Sequence, residues 1–209
     1  MEYPIWFKQS GFRFLHQERT IYIDPWDIPA GEEKADFILI THAHPDHFDP
    51  GSIERLQKSS TVILAPRDVA GAVRGGRIIA VSPHEERNIE GLRVETVPAY
   101  NIDKEYHPKS NEWVGYVIEM NGTRFYHAGD TDHIPEMHEV HTDVALLPIG
   151  GTFTMDAQEA AEAAGMIHPS VAIPMHYGFA VGAAKAGKRF RDLAKVRVEL
   201  LQPVIPFTQ

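Results

Sequence analysis

The feature that most constrains the fold of this chain is a cluster of metal-binding side chains directly after an apolar run. The run Phe37-Ile38-Leu39-Ile40 has the length and composition of a buried strand. It leads into His42, His44, Asp46 and His47, an H-x-H-x-D-H pattern of three imidazoles and one carboxylate. Imidazole and carboxylate are suitable ligands for borderline divalent metals. The sequence therefore predicts that a metal site opens where this strand ends.

Composition restricts the chemistry that can complete such a site. The chain has 209 residues and no cysteine, which excludes disulfides, thiolate ligands and a cysteine nucleophile. Any metal must be held by nitrogen and oxygen. At this length, and with no break in composition, we expect a single domain over residues 1–209.

Net charge and apolar patterning indicate the expected location and partners. No apolar run approaches the length of a membrane span, so a membrane protein is not expected. Residues 1–10 lack the basic flank and apolar stretch of a signal peptide, which predicts a cytoplasmic protein. A formal charge of −9 disfavours binding to a nucleic-acid backbone. A small molecule is the expected partner, and assembly into a homo-oligomer is left open.

Short β-prone runs recur along the chain and predict a protein rich in strands. The clearest signal is Asn121-Gly122, which joins strands predicted at 113–120 and 123–127, because this pair suits a two-residue turn with positive φ at both positions. The other predicted strands are a hairpin at 12–16 and 20–23, followed by 35–40, 61–65, 77–81, 92–97, 143–149, 171–175 and 196–201.

Three helices are predicted between these strands, at residues 52–58, 156–166 and 183–194. Ser52 is the expected N-cap of the first helix. Asp156 and Glu159 have capping-box spacing at the start of the second.

Two further ligands are predicted where other strands end. Asp130 follows the strand at 123–127 through Ala128 and Gly129, whose small size lets a carboxylate approach a metal closely. His176 follows a later strand in the same manner. A hydrolytic metal site keeps positions open for water and substrate, so ligands from separate strands favour a catalytic site over a closed structural one.

One ligand position has two candidates. His107 lies in a polar loop before the predicted turn hairpin, and loops placed by rigid strands often carry such ligands. Asn101, after Pro98-Ala99-Tyr100, is the competitor. We favour His107 because an amide is a poorer ligand than imidazole for a borderline transition metal.

With these residues assembled, the chain resembles the metallo-β-lactamase superfamily over most of its length. It is most similar to small one-domain metal-dependent hydrolases related to L-ascorbate-6-phosphate lactonase. The resemblance implies an α/β fold, a four-layer αββα sandwich of two mixed sheets flanked by helices, with metals at one edge. Beyond the ligand motifs, it rests on Ile23-Asp24-Pro25-Trp26, His127-Ala128-Gly129-Asp130-Thr131, Pro148-Ile149-Gly150-Gly151 and Pro174-Met175-His176.

The resemblance also implies a role for each ligand. One metal would be held by His42, His44 and His107, and the other by Asp46, His47 and His176, with Asp130 bridging them. Asp24 would support the histidine loop through hydrogen bonds instead of binding metal. Many relatives have a histidine directly after the Pro-Ala pair, where this chain has Tyr100-Asn101.

A site of this kind predicts hydrolysis by a metal-activated hydroxide. Two divalent ions lower the pKa of a shared water and polarise the bond under attack. Asp46 is the expected catalytic residue, which orients the hydroxide and passes a proton to the leaving group. Zinc is the favoured metal, and manganese and iron suit the same donors.

Substrate contacts are predicted at two places, each with a structural alternative. Gly151, Thr152 and Thr154 precede a predicted helix and would bind an anion, or they form only a tight turn with an N-cap. Tyr177, beside the predicted ligand His176, would stabilise an oxyanion, or it only packs.

The leading functional hypothesis is a two-metal hydrolase acting on a small ester, lactone or phosphoester. One alternative is a nuclease or phosphodiesterase acting on nucleic acid, against which the acidic charge counts. The other alternative is a metal-dependent binding protein without turnover.

Overall fold

Two six-stranded sheets form the centre of the molecule. The computed structural model describes residues 3–209. Across the first sheet the strands follow chain order: β1 (Ile5–Lys8), β2 (Gly11–His16), β3 (Arg19–Ile23), β4 (Phe37–Leu39), β5 (Val62–Pro66) and β6 (Arg77–Val81). Across the second they also follow chain order: β7 (Glu86–Ile89), β8 (Leu92–Pro98), β9 (Val114–Met120), β10 (Thr123–His127), β11 (Val144–Pro148) and β12 (Val171–Met175).

Both sheets are mixed, and their parallel parts position the ligands. Strands β3 to β6 are mutually parallel in the first sheet, and β10 to β12 are parallel in the second. Parallel neighbours end at the same edge of a sheet. The residues that follow β4, β10 and β12 therefore meet at this edge, although they lie far apart in the sequence.

The helices cover the outer faces of the sheets: α1 (Pro50–Leu56), α2 (Arg67–Ala72), α3 (Ala157–Ile167) and α4 (Ala186–Leu193). Two 3-10 turns lie at Lys109–Asn111 and Pro135–Glu139. Among residues 3–209, no helix has the length and apolar character needed to cross a membrane.

Alternation along the central strands of the first sheet fills two separate cores. In β3, Ile21 and Ile23 face the second sheet, whereas Tyr22 packs beneath the helices of the first. In β4, Leu39 likewise faces the second sheet, and Ile38 packs beneath the helices of the first. This period of two confirms the four-layer αββα arrangement, because a strand buried on both faces contributes to a core on each side.

Most of the predicted elements are confirmed, and three details are wrong. The turn at Asn121-Gly122 has positive φ at both residues, and Asp156 with Glu159 forms the predicted capping box. The strands β1 and β7 and the helix α2 were not predicted.

The first error concerns the start of α1. Its N-cap is Asp49, whose side chain accepts from the Gly51 N–H, and Pro50 takes the first helical position. Proline is well placed there because its missing N–H would have no partner inside the helix. Ser52 instead accepts from the Ile28 N–H.

The other two errors lie near the C-terminus. The predicted strand at 196–201 is a single parallel bridge between Ala172 and Val198 and does not become a seventh strand of the second sheet. The helix predicted at 183–194 is shorter and begins at Ala186.

Candidate metal centre

The seven predicted ligands meet at the edge where the parallel strands end. The histidine loop follows β4, Asp130 and His176 follow β10 and β12, and His107 lies between β8 and β9. Six of the predicted ligands form two sets of three. The first donor group is His42, His44 and His107, and the second donor group is Asp46, His47 and His176. Within each group the ligand atoms lie within 4.8 Å of one another.

Asp130 lies between the two groups and is almost fully buried. Its Oδ2 is 3.0 Å from Nε2 of His176 and 3.5 Å from Nε2 of His107, while its Oδ1 is 3.3 Å from Nε2 of His47. Gly129 makes this position accessible: its φ is +65°, and a Cβ there would come within 3.1 Å of the Thr41 Cβ. One carboxylate thus faces donors from both groups.

The donor atoms fit a cationic occupant. Nε2 of His47, Nε2 of His107 and Oδ1 of Asp130 are buried and have no hydrogen-bond partner within the described part of the chain. Burying polar atoms without partners is costly, and a protein that kept them only for packing would pair them. All three face the same centre, and nitrogen with oxygen is the donor chemistry of zinc, manganese and iron.

Asp24 fixes the histidine loop from behind, where it is fully buried. Its Oδ1 accepts from the Thr41 N–H at 2.8 Å, and its Oδ2 accepts from the Thr41 hydroxyl at 2.7 Å. The same Oδ2 is 2.7 Å from Nδ1 of His47, which places the ring proton on Nδ1 and leaves Nε2 free to face the centre.

His107 and Asn101, the two candidates for one ligand position, are hydrogen-bonded to each other. Nδ1 of His107 donates to Oδ1 of Asn101 at 2.7 Å, and Nδ2 of Asn101 donates to the Phe153 carbonyl at 3.0 Å. His107 therefore presents Nε2 to the centre, while Asn101 lies behind the ring and fixes its orientation. Sequence reasoning treated the two residues as alternatives, but the fold uses both.

Electrostatics differ between the two donor groups. In the first donor group, burial lowers the pKa of His42 and His44, and repulsion from neighbouring imidazoles lowers it further. In the second, burial also acts to lower the pKa of each histidine, but nearby carboxylates outweigh it. Asp130, Asp24 and Asp46 raise the pKa of His47 well above its ordinary value, and Asp130 and Asp46 raise the pKa of His176 to about 9.

Both carboxylates at the centre are ionised at neutral pH. Burial acts to raise the pKa of Asp46, but His47 and His176 bring it far below its ordinary value. The pKa of Asp130 is likewise well below its ordinary value, because His176 and His47 overcome the effect of burial. The site is therefore ready to receive positive charge.

Solvent reaches the centre past His44 and Asp46, which are only partly buried. Trp113 forms a wall beside the first donor group, with its ring centroid 5.0 Å from that of His42 and 5.1 Å from that of His44. The Trp113 indole N–H donates to Asp68 at 2.8 Å, which holds the ring in place.

Gln9 is a site residue that the sequence did not reveal. It lies between β1 and β2, and its Nε2 donates to Oδ2 of Asp46 at 2.8 Å. Its main-chain carbonyl accepts from the His176 N–H at 2.9 Å. A single glutamine in a turn carries no ligand spacing, so only the fold brings it to the site.

The predicted anion-binding turn has most of its donors occupied. The N–H of Gly151 donates to the Met155 carbonyl at 3.0 Å, and the hydroxyl of Thr154 donates to the same carbonyl at 3.1 Å. The Asp156 carboxylate already caps the N–H groups at the start of α3. Thr152 is exposed. This arrangement is the capped turn that the sequence offered as the alternative, because the caps satisfy the groups that an anion would need.

Tyr177 is placed in the core. Its ring packs at 5.4 Å from both Trp6 and Phe207, and its hydroxyl lies against Gly187 of α4. Burial raises the pKa of this hydroxyl to about 12. These neighbours support the packing role that the sequence left open for Tyr177.

Comparison with known proteins identifies the family. A family model described as the beta-lactamase superfamily domain matches residues 5–176. The chain belongs to the metallo-β-lactamase superfamily. Among its relatives, a UPF0173 metal-dependent hydrolase from Thermococcus onnurineus is 34% identical over an alignment of 211 positions, gaps included, that covers 93% of each chain.

Two solved structures are also similar to this chain. A proposed metal-dependent hydrolase from Parabacteroides distasonis aligns with a TM-score of 0.87 and 32% identity, over 96% of this chain and 92% of the other. A metallo hydrolase from Ignicoccus hospitalis aligns with a TM-score of 0.74 and 26% identity, over 96% and 94%. The chain is thus a metal-dependent hydrolase of the metallo-β-lactamase superfamily, with histidine and aspartate groups able to hold metal.

Proposed function

We propose that this superfamily member hydrolyses a small ester, lactone or phosphoester at a centre of two divalent ions. The first donor group would hold one ion and the second donor group the other, with the Asp130 carboxylate between the two groups. The observation that carries the proposal is the set of buried donor atoms that face one centre without partners in residues 3–209: Nε2 of His47, Nε2 of His107 and Oδ1 of Asp130. We propose zinc as the metal, since six histidine and carboxylate donors in two groups suit it, and manganese or iron would fit the same donors.

The ions supply Lewis acidity when bound, which lowers the pKa of a coordinated water and polarises the bond under attack. The chain supplies orientation and proton transfer. Asp46 suits this role because its side chain is 24% exposed, whereas that of Asp130 is 3% exposed and enclosed by donors. An ionised Asp46 would accept a hydrogen bond from the attacking water, take its proton as the oxygen bonds to the substrate, and pass that proton to the leaving group as the scissile bond breaks.

The proposed substrate is a small molecule and not a nucleic acid. A net charge of −9 opposes a long phosphate backbone, which is bound through clustered lysine and arginine. The lactone option follows the sequence resemblance to ascorbate-6-phosphate lactonase.

The proposal is tested by metal analysis and a substrate panel. Purified protein loaded with zinc or manganese is expected to hold two ions per chain and to turn over at least one aryl ester, lactone or aryl phosphoester. D46N should lower kcat by about 100-fold or more, because general acid–base catalysis contributes at least this much. D192N is the matched control, since Asp192 is an exposed carboxylate on α4.

Three results would overturn the proposal. Cleavage of single-stranded RNA without turnover of any small substrate would favour a nuclease. Two bound ions without turnover of the whole panel would favour a binding protein. Full activity and full metal content in D46N would remove Asp46 from the mechanism.

A further inference from the structure

Gln9 joins the two sheets at the metal centre. It belongs to the first sheet, in the turn between β1 and β2, yet its main-chain carbonyl accepts from the N–H of His176, which follows the last strand of the second sheet. These two residues are 167 positions apart. The loop that carries Asp46 and the strand end that carries His176 are therefore both held by one turn.

The side chain of Gln9 contacts two members of the second donor group. Its Nε2 is 2.8 Å from Oδ2 of Asp46 and 3.0 Å from Nε2 of His176. Oδ2 is also the Asp46 oxygen that lies nearest to the histidines of this group, at 3.5 Å from His176 and 3.8 Å from His47. A carboxylate oxygen has more than one lone pair, so a donor that binds one lone pair directs another lone pair toward the metal centre.

The backbone at this turn adopts an uncommon conformation. Gln9 has φ of +48°, and its partner His176 has φ of +57°, a region that residues other than glycine rarely occupy. Gln9 is fully buried, and its main-chain carbonyl also accepts from the Trp6 indole N–H at 3.0 Å. Strained backbone of this kind persists only where surrounding contacts enforce it, and it concentrates at functional sites.

We propose that Gln9 is a positioning residue for the second metal position, holding Asp46 through its side-chain N–H and His176 through its main-chain carbonyl. This inference rests on the proposed two-ion function. It assigns Gln9 no contact with substrate. The contacts with Asp46 and with the His176 ring depend on the side chain, so a substitution should loosen both side chains and leave the His176 main-chain bond in place.

The test compares stepwise metal binding by wild type and Q9M, measured by calorimetry and by chelator competition. Methionine keeps the length of the side chain and removes its donor. Loss of a group that orients a ligand typically costs 10–100-fold in metal affinity, so Q9M should bind one of the two ions about 10–100-fold more weakly. The H107A variant, which keeps the second donor group complete, identifies which binding step belongs to that group.

S10A is the matched control. Ser10 is the next residue, is equally buried, and its hydroxyl has no hydrogen-bond partner in the range 3–209. S10A should bind both ions as wild type does. Absorption spectra of the cobalt-substituted proteins should change for Q9M and stay unchanged for S10A. A general loss of packing would not produce this difference between the two variants. If the circular dichroism of Q9M shows misfolding, Q9A takes its place.

The outcomes separate the two proposals. A wild-type protein that binds a single ion contradicts the proposed function itself. A wild type with two ions, together with Q9M or Q9A that binds both with unchanged affinity and an unchanged cobalt spectrum, overturns the role of Gln9 alone. Equal weakening of both ions would also overturn it, because Gln9 contacts only the second donor group.

Discussion

The two donor groups of the centre differ in how their ligands are held. In the first, neutral groups orient the rings: the Thr41 hydroxyl is 2.9 Å from Nδ1 of His42, and the Asn101 amide binds His107. In the second, the buried carboxylate of Asp24 binds His47. A carboxylate partner raises the basicity of a ligating histidine, so the second donor group should attract a cation more strongly.

The same contrast extends to the ligands themselves. The first donor group contains three histidines, whereas the second contains a carboxylate in addition to two histidines. Two sites built from similar residue types are thus unequal in charge. We expect stepwise metal binding in which the second donor group fills first.

Replacing Asp130 should affect both donor groups at once. D130N removes the charge of the carboxylate that lies within 3.5 Å of ligands from both. Since loss of a mere orienting group costs about 10–100-fold in metal affinity, loss of this shared ligand should weaken both ions by more than about 100-fold. Metal content after dialysis against a chelator measures this weakening of both ions. Retention of either ion at wild-type affinity would show that Asp130 does not serve both positions.

H107A and N101A form a matched pair for the first donor group. H107A should remove its ion, while N101A should weaken the same ion by about 10-fold, because Asn101 orients the ring without facing the centre. Calorimetric titration should show the second ion unchanged in both variants. If N101A has the larger effect, Asn101 and not His107 is the ligand.

D24N should act chiefly on the second donor group. The substitution removes the charge that holds Nδ1 of His47, and we expect the ion of that group to bind about 10–100-fold more weakly. T41V is the comparison, because the Thr41 hydroxyl contacts both Asp24 and His42, and its loss should weaken the ions of both donor groups. Equal effects of D24N on both ions would remove the proposed contrast in charge.

A carboxylate on β8 of the second sheet, Glu95, provides the smallest effect. Arg124 holds Glu95 by two hydrogen bonds of 2.9 and 2.8 Å, and these bonds lower the pKa of Glu95. Because the folded pKa is depressed, the stabilisation is present above the ordinary value of 4.5 and is lost as the pH falls through the folded pKa.

E95Q should therefore lower the free energy of unfolding by about 0.5 kcal/mol at neutral pH, the scale of a partly exposed ion pair. The difference from wild type should vanish in acid. Urea denaturation at several pH values measures it, and metal affinity should be unchanged. A loss of metal in E95Q would mean that the Glu95–Arg124 pair and the centre are coupled.

The sequence alone determined which residue types gather at the centre. The histidine loop, Asp130 and His176 were recognised because ligand residues stand directly after apolar strand runs, a pattern local to each strand. Most strands and the capping box of α3 were predicted for the same reason, since periodicity and caps are encoded within a few residues.

The tertiary structure decided how these residues are divided and supported. It placed Asn101 behind His107, occupied the donors of Gly151 and Thr154 with internal hydrogen bonds, and packed Tyr177 in the core. It also brought Gln9 to His176 across 167 positions. Such contacts depend on how the two sheets pack against each other. No local sequence pattern encodes a contact between residues so far apart in the chain. The sequence thus supplied the candidate ligands, and only the packing of the two sheets assigned each of them its neighbours.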